Sequence, residues 1–232
     1  MLTKIKLMAC GYNLVSLRFR LNTKGMGHTL ANALRRVLLS TVIGWAVIGI
    51  CIDNVNHELD RIDGIKEDAA SILLNVKQIV FTCGLNKPLF KVLAYATNAG
   101  TLLAKHLIVP NGVLIKNGNQ KICQISIGSK FRAELIVAQG LGYMCSSEIY
   151  NKFKKHLFGH LILDANFNPV KRVSFNIVDS EYNVDLYENI ELIIETNGTV
   201  NFTKTIKHAC STLTAHFSSI NNSMLIAPNC LI

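Results

Sequence analysis

Three short stretches of this 232-residue chain carry residue types that could do chemistry. "HLFGH" sets His156 and His160 four apart, and on a helix that spacing would turn two imidazoles toward one metal ion. Gly159 weakens a helix there and no third ligand is evident, so a pair of surface histidines is the simpler reading. "GMGH" puts Gly25 and Gly27 ahead of a helical pattern, as in turns that cradle phosphate, but Leu30 stands where G-x-G-x-x-G needs its third glycine. Elsewhere His57-Glu58 lacks the second histidine of H-E-x-x-H, and no G-x-S-x-G or catalytic cysteine signature occurs. Autonomous catalysis therefore has no named residues, and no metal or cofactor is expected on this chain. The third stretch is "GHTLANALRRVLLS", where Arg35 and Arg36 sit side by side on an otherwise apolar helix pattern. No Asp or Glu precedes Asp53, so these guanidinium forks have no local counter-charge.

That asymmetry extends to the whole chain. The formal net charge is +9, which draws acidic partners such as nucleic acid, an anionic membrane or an acidic protein face. The first 52 residues hold Lys4, Lys6, Arg18, Arg20, Lys24, Arg35 and Arg36, and this segment needs a counter-charge from outside itself. Half of the residues are hydrophobic and 17% are charged, the balance of a folded chain able to bury its own core. Seven scattered cysteines without a C-x-x-C pair indicate a reducing compartment with thiols used as small core residues. "LMAC" has a lipoprotein-like ending, but no apolar region separates Lys6 from Cys10. The uncharged run from Val37 to Ile52 is shorter than the ~20 residues that span a bilayer, and Gly44 breaks it. No membrane association is expected.

The elements that position these residues follow from periodicity. Val15, Leu17, Phe19 and Leu21 alternate with Ser16, Arg18, Arg20 and Asn22, the pattern of a half-buried strand. The "GHTLANALRRVLLS" helix turns Leu30, Leu34, Val37, Leu38 and Thr41 to one face and Asn32, Arg35, Arg36 and Ser40 elsewhere. "GWAVIGICID" predicts a strand buried on both sides. "KEDAASILLNVKQI" predicts a helix with Glu67 and Asp68 in its first turn, Lys77 in its last, and Ala69, Ile72, Leu73, Val76 and Ile79 inward. Short β-rich runs follow between residues 80 and 140, then a loop around "QGLGYM" and the basic patch "NKFKKH". Strands return as "HLILDA", "KRVSFNIV" and "NIELIIET". A last helix, "NFTKTIKHACSTLTAHFSS", aligns Ile206, Ala209, Cys210, Leu213 and Phe217 behind an Asn201 N-cap. Apolar helix stripes next to strands at both ends of the chain predict an α+β fold. Residues 1–44 and 171–220 form one domain, residues 45–170 an inserted β-rich domain, and 221–232 a tail.

"GxGHTLxNALRRVLLS", "HELDRIDGIKEDAASILLNVK" and "ETNGTV", in this order over residues 13 to 220, resemble the amino-terminal domain of the alpha subunit of bacterial-type DNA-directed RNA polymerase. The resemblance implies a non-catalytic subunit whose first and last helices make a homodimer, the platform on which the beta and beta-prime subunits assemble. Leu30, Leu34, Leu38, Leu213 and Phe217 are then core or dimer-interface residues, and spacing does not separate the two roles. By the same matching Arg36 and Leu39, with Arg35 beside them, contact beta, and Lys77 and Leu163 face beta-prime. The catalytic Mg2+ is expected in the partner subunits, and DNA is reached through the assembled complex.

Several positions depart from the family pattern. Ala31 replaces a usual glycine, Leu141 a usual arginine, and Lys204 stands where the last helix tends to open with acidic residues. The chain also ends without the linker and carboxy-terminal DNA-binding domain of the family. Such erosion suits the cytoplasm of a reduced-genome bacterium or endosymbiont, a plastid or another organelle, or else a truncated sequence. The rival reading, carried by the +9 charge alone, is a stand-alone basic nucleic-acid-binding protein.

Overall fold

Alternating apolar residues at one end of the chain and β-rich stretches further along resolve, among the described residues, into two four-stranded sheets and three two-stranded ones. The computed structural model describes residues 2–11, 13–21, 23–84, 87–179 and 188–226. It opens with β1 (Leu2–Cys10), β2 (Leu14–Leu21) and α1 (Gly27–Ser40), followed by β3 (Ile43–Ile52), α2 (Ala69–Lys77), β4 (Phe81–Cys83) and β5 (Leu89–Ala96). Next come β6 (Gly100–Leu103), β7 (Val113–Ile115), β8 (Lys121–Ile125), β9 (Phe131–Leu141) and β10 (Tyr143–Met144). The chain continues with α3 (Ser146–Phe153), β11 (Leu161–Ile162), β12 (Ala165–Asn166), β13 (Val170–Asp179), β14 (Glu188–Thr196) and α4 (Phe202–Ile226). These elements divide into Met1–Val42 with Pro169–Ile232 as one unit and Ile43–Asn168 as the other.

In the first unit four antiparallel strands run in the order β1-β2-β14-β13. Val15, Phe19 and Leu21 of β2 meet Ile190, Leu192 and Ile194 of β14 in one core, which Ala31, Leu34 and Leu38 of α1 and Ala209 of α4 complete. The pleat puts residues two apart on one face, so both strands supply a row to this layer. Ala31 is fully buried, so the methyl it carries is packed inside the core rather than lost to solvent. β1, which is not among the predicted strands, extends the sheet by pairing with β2.

The start of α1 depends on a residue from the far end of the chain. The Gly25 and Gly27 amides both donate to the carboxylate of Glu188, the Gly27 bond being 2.7 Å. Glu188 is only 7% exposed and stands at the positive end of the helix, where a carboxylate both satisfies orphan N–H groups and complements the dipole. A Cβ on Gly27 would come within 2.5 Å of the Glu188 Oε2, which is why glycine occupies this position. Glu188→Ala should lower stability by about 2 to 4 kcal/mol, since it strands two donors at a helix terminus. Urea unfolding followed by circular dichroism checks this, and an unchanged midpoint would contradict it.

The second unit is built on the sheet β11-β3-β9-β5. One face holds a core of Val47, Ile50, Val92 and Leu135 with Ile72, Leu73 and Val76 of α2. The other face holds Ile48, Ile136 and Ala138 beneath Ile149 of α3, Leu157 and Phe167. β3 is thus covered on both sides, and the register shift between Val47 and Gly49 lets its side chains serve both cores. Gly49 leaves room for the overlying chain: a Cβ there would lie 2.6 Å from Leu157 Cδ2.

The second helix begins later than its apolar spacing predicts. Asp68 is the N-cap, accepting from the Ser71 amide at 2.9 Å, so neither it nor Glu67 lies in the first turn. Glu67 instead reaches β8, 2.6 Å from Lys121 Nζ and accepting from the Gln124 amide. Burial pushes the Glu67 carboxyl up, but the Lys121 ammonium and the Gln124 amide outweigh it and hold the group below its ordinary value. A depressed carboxyl stabilises the fold above its unfolded pKa, and that contribution is lost as pH falls through the folded value. Glu67→Gln should therefore flatten the acid limb of stability below the ordinary carboxyl value of 4.5, measurable by urea melts across that range.

Other differences concern local rules. The basic patch placed in a loop begins in α3, whose Cys145 amide is met by Glu148 Oε2 at 3.4 Å. "HLILDA" is two short strands with Leu163 between them rather than one strand. Asn201 does cap α4, accepting from the Lys204 amide at 3.2 Å, but α4 continues to Ile226, so a tail beginning at residue 221 is not separate from the helix. The rest of that tail, residues 227–232, and Asn22 lie outside the described residues. Cysteines are not uniformly core: Cys123 is fully buried, with burial pushing its thiol up to about 12, whereas Cys210 is exposed on α4.

Candidate protein-contact surface

α1 presents its cations on a stiffly held segment. Gly27, Ala31, Leu34 and Leu38 face inward, leaving Arg35 and Arg36 exposed and Leu39 half-buried, one turn on from both. Three carbonyls at the end of α1 meet side-chain partners. Ser40 Oγ donates to the Arg36 carbonyl at 2.8 Å, Thr41 Oγ1 to the Val37 carbonyl at 2.9 Å, and His208 Nε2 from α4 to the Thr41 carbonyl at 3.1 Å. Fixing the backbone beneath two guanidinium groups lowers the entropy they lose on engaging a partner.

The counter-charge question receives a divided answer. Arg18 finds Glu191 of β14 at 4.0 Å, and Ser16 Oγ donates to the same carboxylate at 3.1 Å, so part of the basic segment is neutralised from within the chain. Among the described residues no carboxylate lies within ion-pair range of Arg35 or Arg36. The planar forks remain open to carboxylates or carbonyls supplied from outside.

Burial along α1 and α4 separates core residues from exposed ones where spacing did not. Leu34 at 8% and Leu38 at 0% exposure belong to the core of the unit and have no surface to give a second copy, which corrects their place among dimer-contact residues. Leu30 and Leu213 are partly buried against that core. Phe217 is 64% exposed, and Ile220, one turn beyond it and absent from the predicted stripe, is 57% exposed. The stripe thus outruns the fold it helps to build. Continuing the 3.6-residue period one turn past Phe217 would have found Ile220.

Lys77 and Leu163 do come together, but as parts of one packed corner. Lys77 Nζ stands 3.5 Å from Asp164 Oδ2, beside Leu163, whose amide donates to the Ile48 carbonyl at 3.0 Å. Leu163 is 5% exposed and packs in the α2-side core, so it is a structural leucine and not a surface contact. Lys77 keeps an exposed ammonium already shared with Asp164.

The remaining constellations are spent internally. The amides of the "GMG" turn hold Glu188, an anion built into the chain. α3 ends at Phe153, so His156 and His160 do not share a helix face. His160 instead lies 3.4 Å from Glu134, which also accepts from Lys91 at 2.7 Å. The Lys91 ammonium holds the Glu134 carboxyl below its ordinary value. A cleft of about 680 Å³ runs along Arg61–Asp68, but Glu67 and Asp68 in its wall are committed to Lys121 and Ser71. Among the described residues no helix is long and apolar enough to cross a membrane.

The family model described as the RNA polymerase Rpb3/RpoA insert domain matches residues 48–168, more than half of the chain and nearly all of its second unit.

Proposed function

Since this chain belongs to the RNA polymerase Rpb3/RpoA insert-domain family and is an alpha-type polymerase subunit, we propose that it is the dimeric platform on which the two large subunits assemble. The observation that carries this reading is the α4 stripe, which leaves Phe217 and Ile220 in water beside a helix presenting unpaired Arg35 and Arg36. An apolar stripe continued past the fold's own core calls for a like surface on a second copy, because two-fold symmetry lets one patch cover itself. Arg36, with Arg35 and Leu39, then engages the beta subunit. Lys77 contributes toward beta-prime through its exposed ammonium. Polymerisation and its Mg2+ belong to those partners, and DNA is met through the assembled enzyme.

The rival, a stand-alone nucleic-acid-binding protein, draws on the +9 charge. The two readings separate by what co-purifies with the tagged chain. Mass spectrometry should find the large polymerase subunits, retained through a salt wash that strips phosphate-driven binding. Recovery of nucleic acid alone, lost at the same wash, would favour the rival.

A further inference from the structure

The basic patch on the second unit is unused by the assembly reading, and its geometry is specific. α3 and the turns after it lie on the face of the β3-β9-β5 sheet away from α2, fastened by the fully buried Ile149 and by Leu157 seated over Gly49. This segment carries Lys152, Lys154 and Lys155, all exposed, with Glu148 the one carboxylate between residues 146 and 160. Next to them Phe158 is 94% exposed. It does not dangle: its neighbour Leu157 is 2% exposed, and His160 Nδ1 lies 3.0 Å from the Phe158 carbonyl. The Lys154 ammonium rests 5.6 Å from the Tyr150 ring, so cations and aromatic faces already interleave.

We propose that Lys152, Lys154, Lys155 and Phe158 form a nucleic-acid docking patch, the lysines taking phosphates and the Phe158 ring taking an unpaired base. A protein hot spot would need a ring of apolar neighbours around the aromatic to exclude water. Phe158 closely follows the exposed Lys152, Lys154 and Lys155 in the chain, and cations that track a backbone beside an exposed aromatic face that stacks a base are what a single strand engages. The patch stands on residues distant in sequence from Arg36 and α4 and does not depend on the dimer.

The test is fluorescence anisotropy of the whole chain with a labelled 20-nucleotide single strand, over a range of salt. Lys152→Gln, Lys154→Gln and Lys155→Gln combined are compared with Lys66→Gln, Lys105→Gln and Lys130→Gln combined, which removes the same charge from exposed positions elsewhere. The patch variant should lower the steepness of log affinity against log salt by about 2, following ~0.7 per phosphate contact on single strands, and the control by less than half of that. Phe158→Ala should weaken single-strand binding about tenfold at one salt, as loss of one stacked base does, with the salt slope unchanged. Circular dichroism melts confirm that each variant is folded. Equal losses from both lysine sets, an inert Phe158→Ala, or binding of a poly-glutamate peptide with no binding of the strand would overturn the proposal.

Discussion

With Phe217 and Ile220 both replaced by aspartate, the chain should sediment as a monomer at concentrations where the unaltered protein is a dimer. Both side chains are more than half exposed in the isolated fold, so the change leaves the α1–sheet core untouched. In a dimer each aspartate would instead be buried unpaired, a cost of several kcal/mol per charge, and Kd should rise by more than about a thousandfold. Leu38→Asp would not make this test, because Leu38 is fully buried and its loss would unfold the unit. Sedimentation velocity at micromolar concentration reads the result directly. A monomeric unaltered chain would remove the dimer from the account.

Arg36→Ala should leave fold and dimer intact and weaken capture of the beta subunit by about 2 to 4 kcal/mol, the range for a desolvated arginine anchor at an interface. The side chain has no carboxylate partner among the described residues, so removing it strands no charge within the chain. The loss should appear mainly as faster dissociation, since truncating a buried charge contact acts on the off-rate. Arg36→Lys should recover little, because a point charge does not reproduce a two-pronged fork. Surface-immobilised dimer and soluble beta subunit provide the measurement. Equal dissociation rates for Arg36→Ala and the unaltered chain would take Arg36 out of the contact.

Periodicity revealed much of the fold, and tertiary partners decided the remainder. Burial on one face forces a 3.6-residue recurrence, which marked Leu34 and Leu38 of α1 as inward, while Leu30, Val37 and Thr41 are only partly buried and the fully buried Ala31 lay outside the expected set. Ala69, Ile72, Leu73, Val76 and Ile79 are all buried as that recurrence predicts. The α2 boundary was not legible, since Glu67 suits a first turn equally well by type and is drawn away by Lys121 and Gln124 on a strand some fifty residues on. α3 was hidden because its eight residues are too short for a clear period and it buries Ile149 alone.

The same division holds for the surface. Adjacent arginines without a local carboxylate were visible in the sequence, and their exposure follows from the helix face they occupy. Whether Leu34, Leu38 and Leu163 serve core or contact was not visible, because a leucine on an apolar face reads identically in both roles. The role of Glu188 escaped notice for a different reason: it lies 161 residues from Gly27, and only the β2–β14 pairing brings the two together.

The most direct test of the platform reading is native mass spectrometry of the complex formed when this chain is co-expressed with the beta and beta-prime subunits of its own polymerase. One assembly with two copies of this chain and one of each large subunit should form, and it should be lost when Phe217 and Ile220 are both aspartate. An assembly containing a single copy, or large subunits that join equally well without this chain, would contradict it.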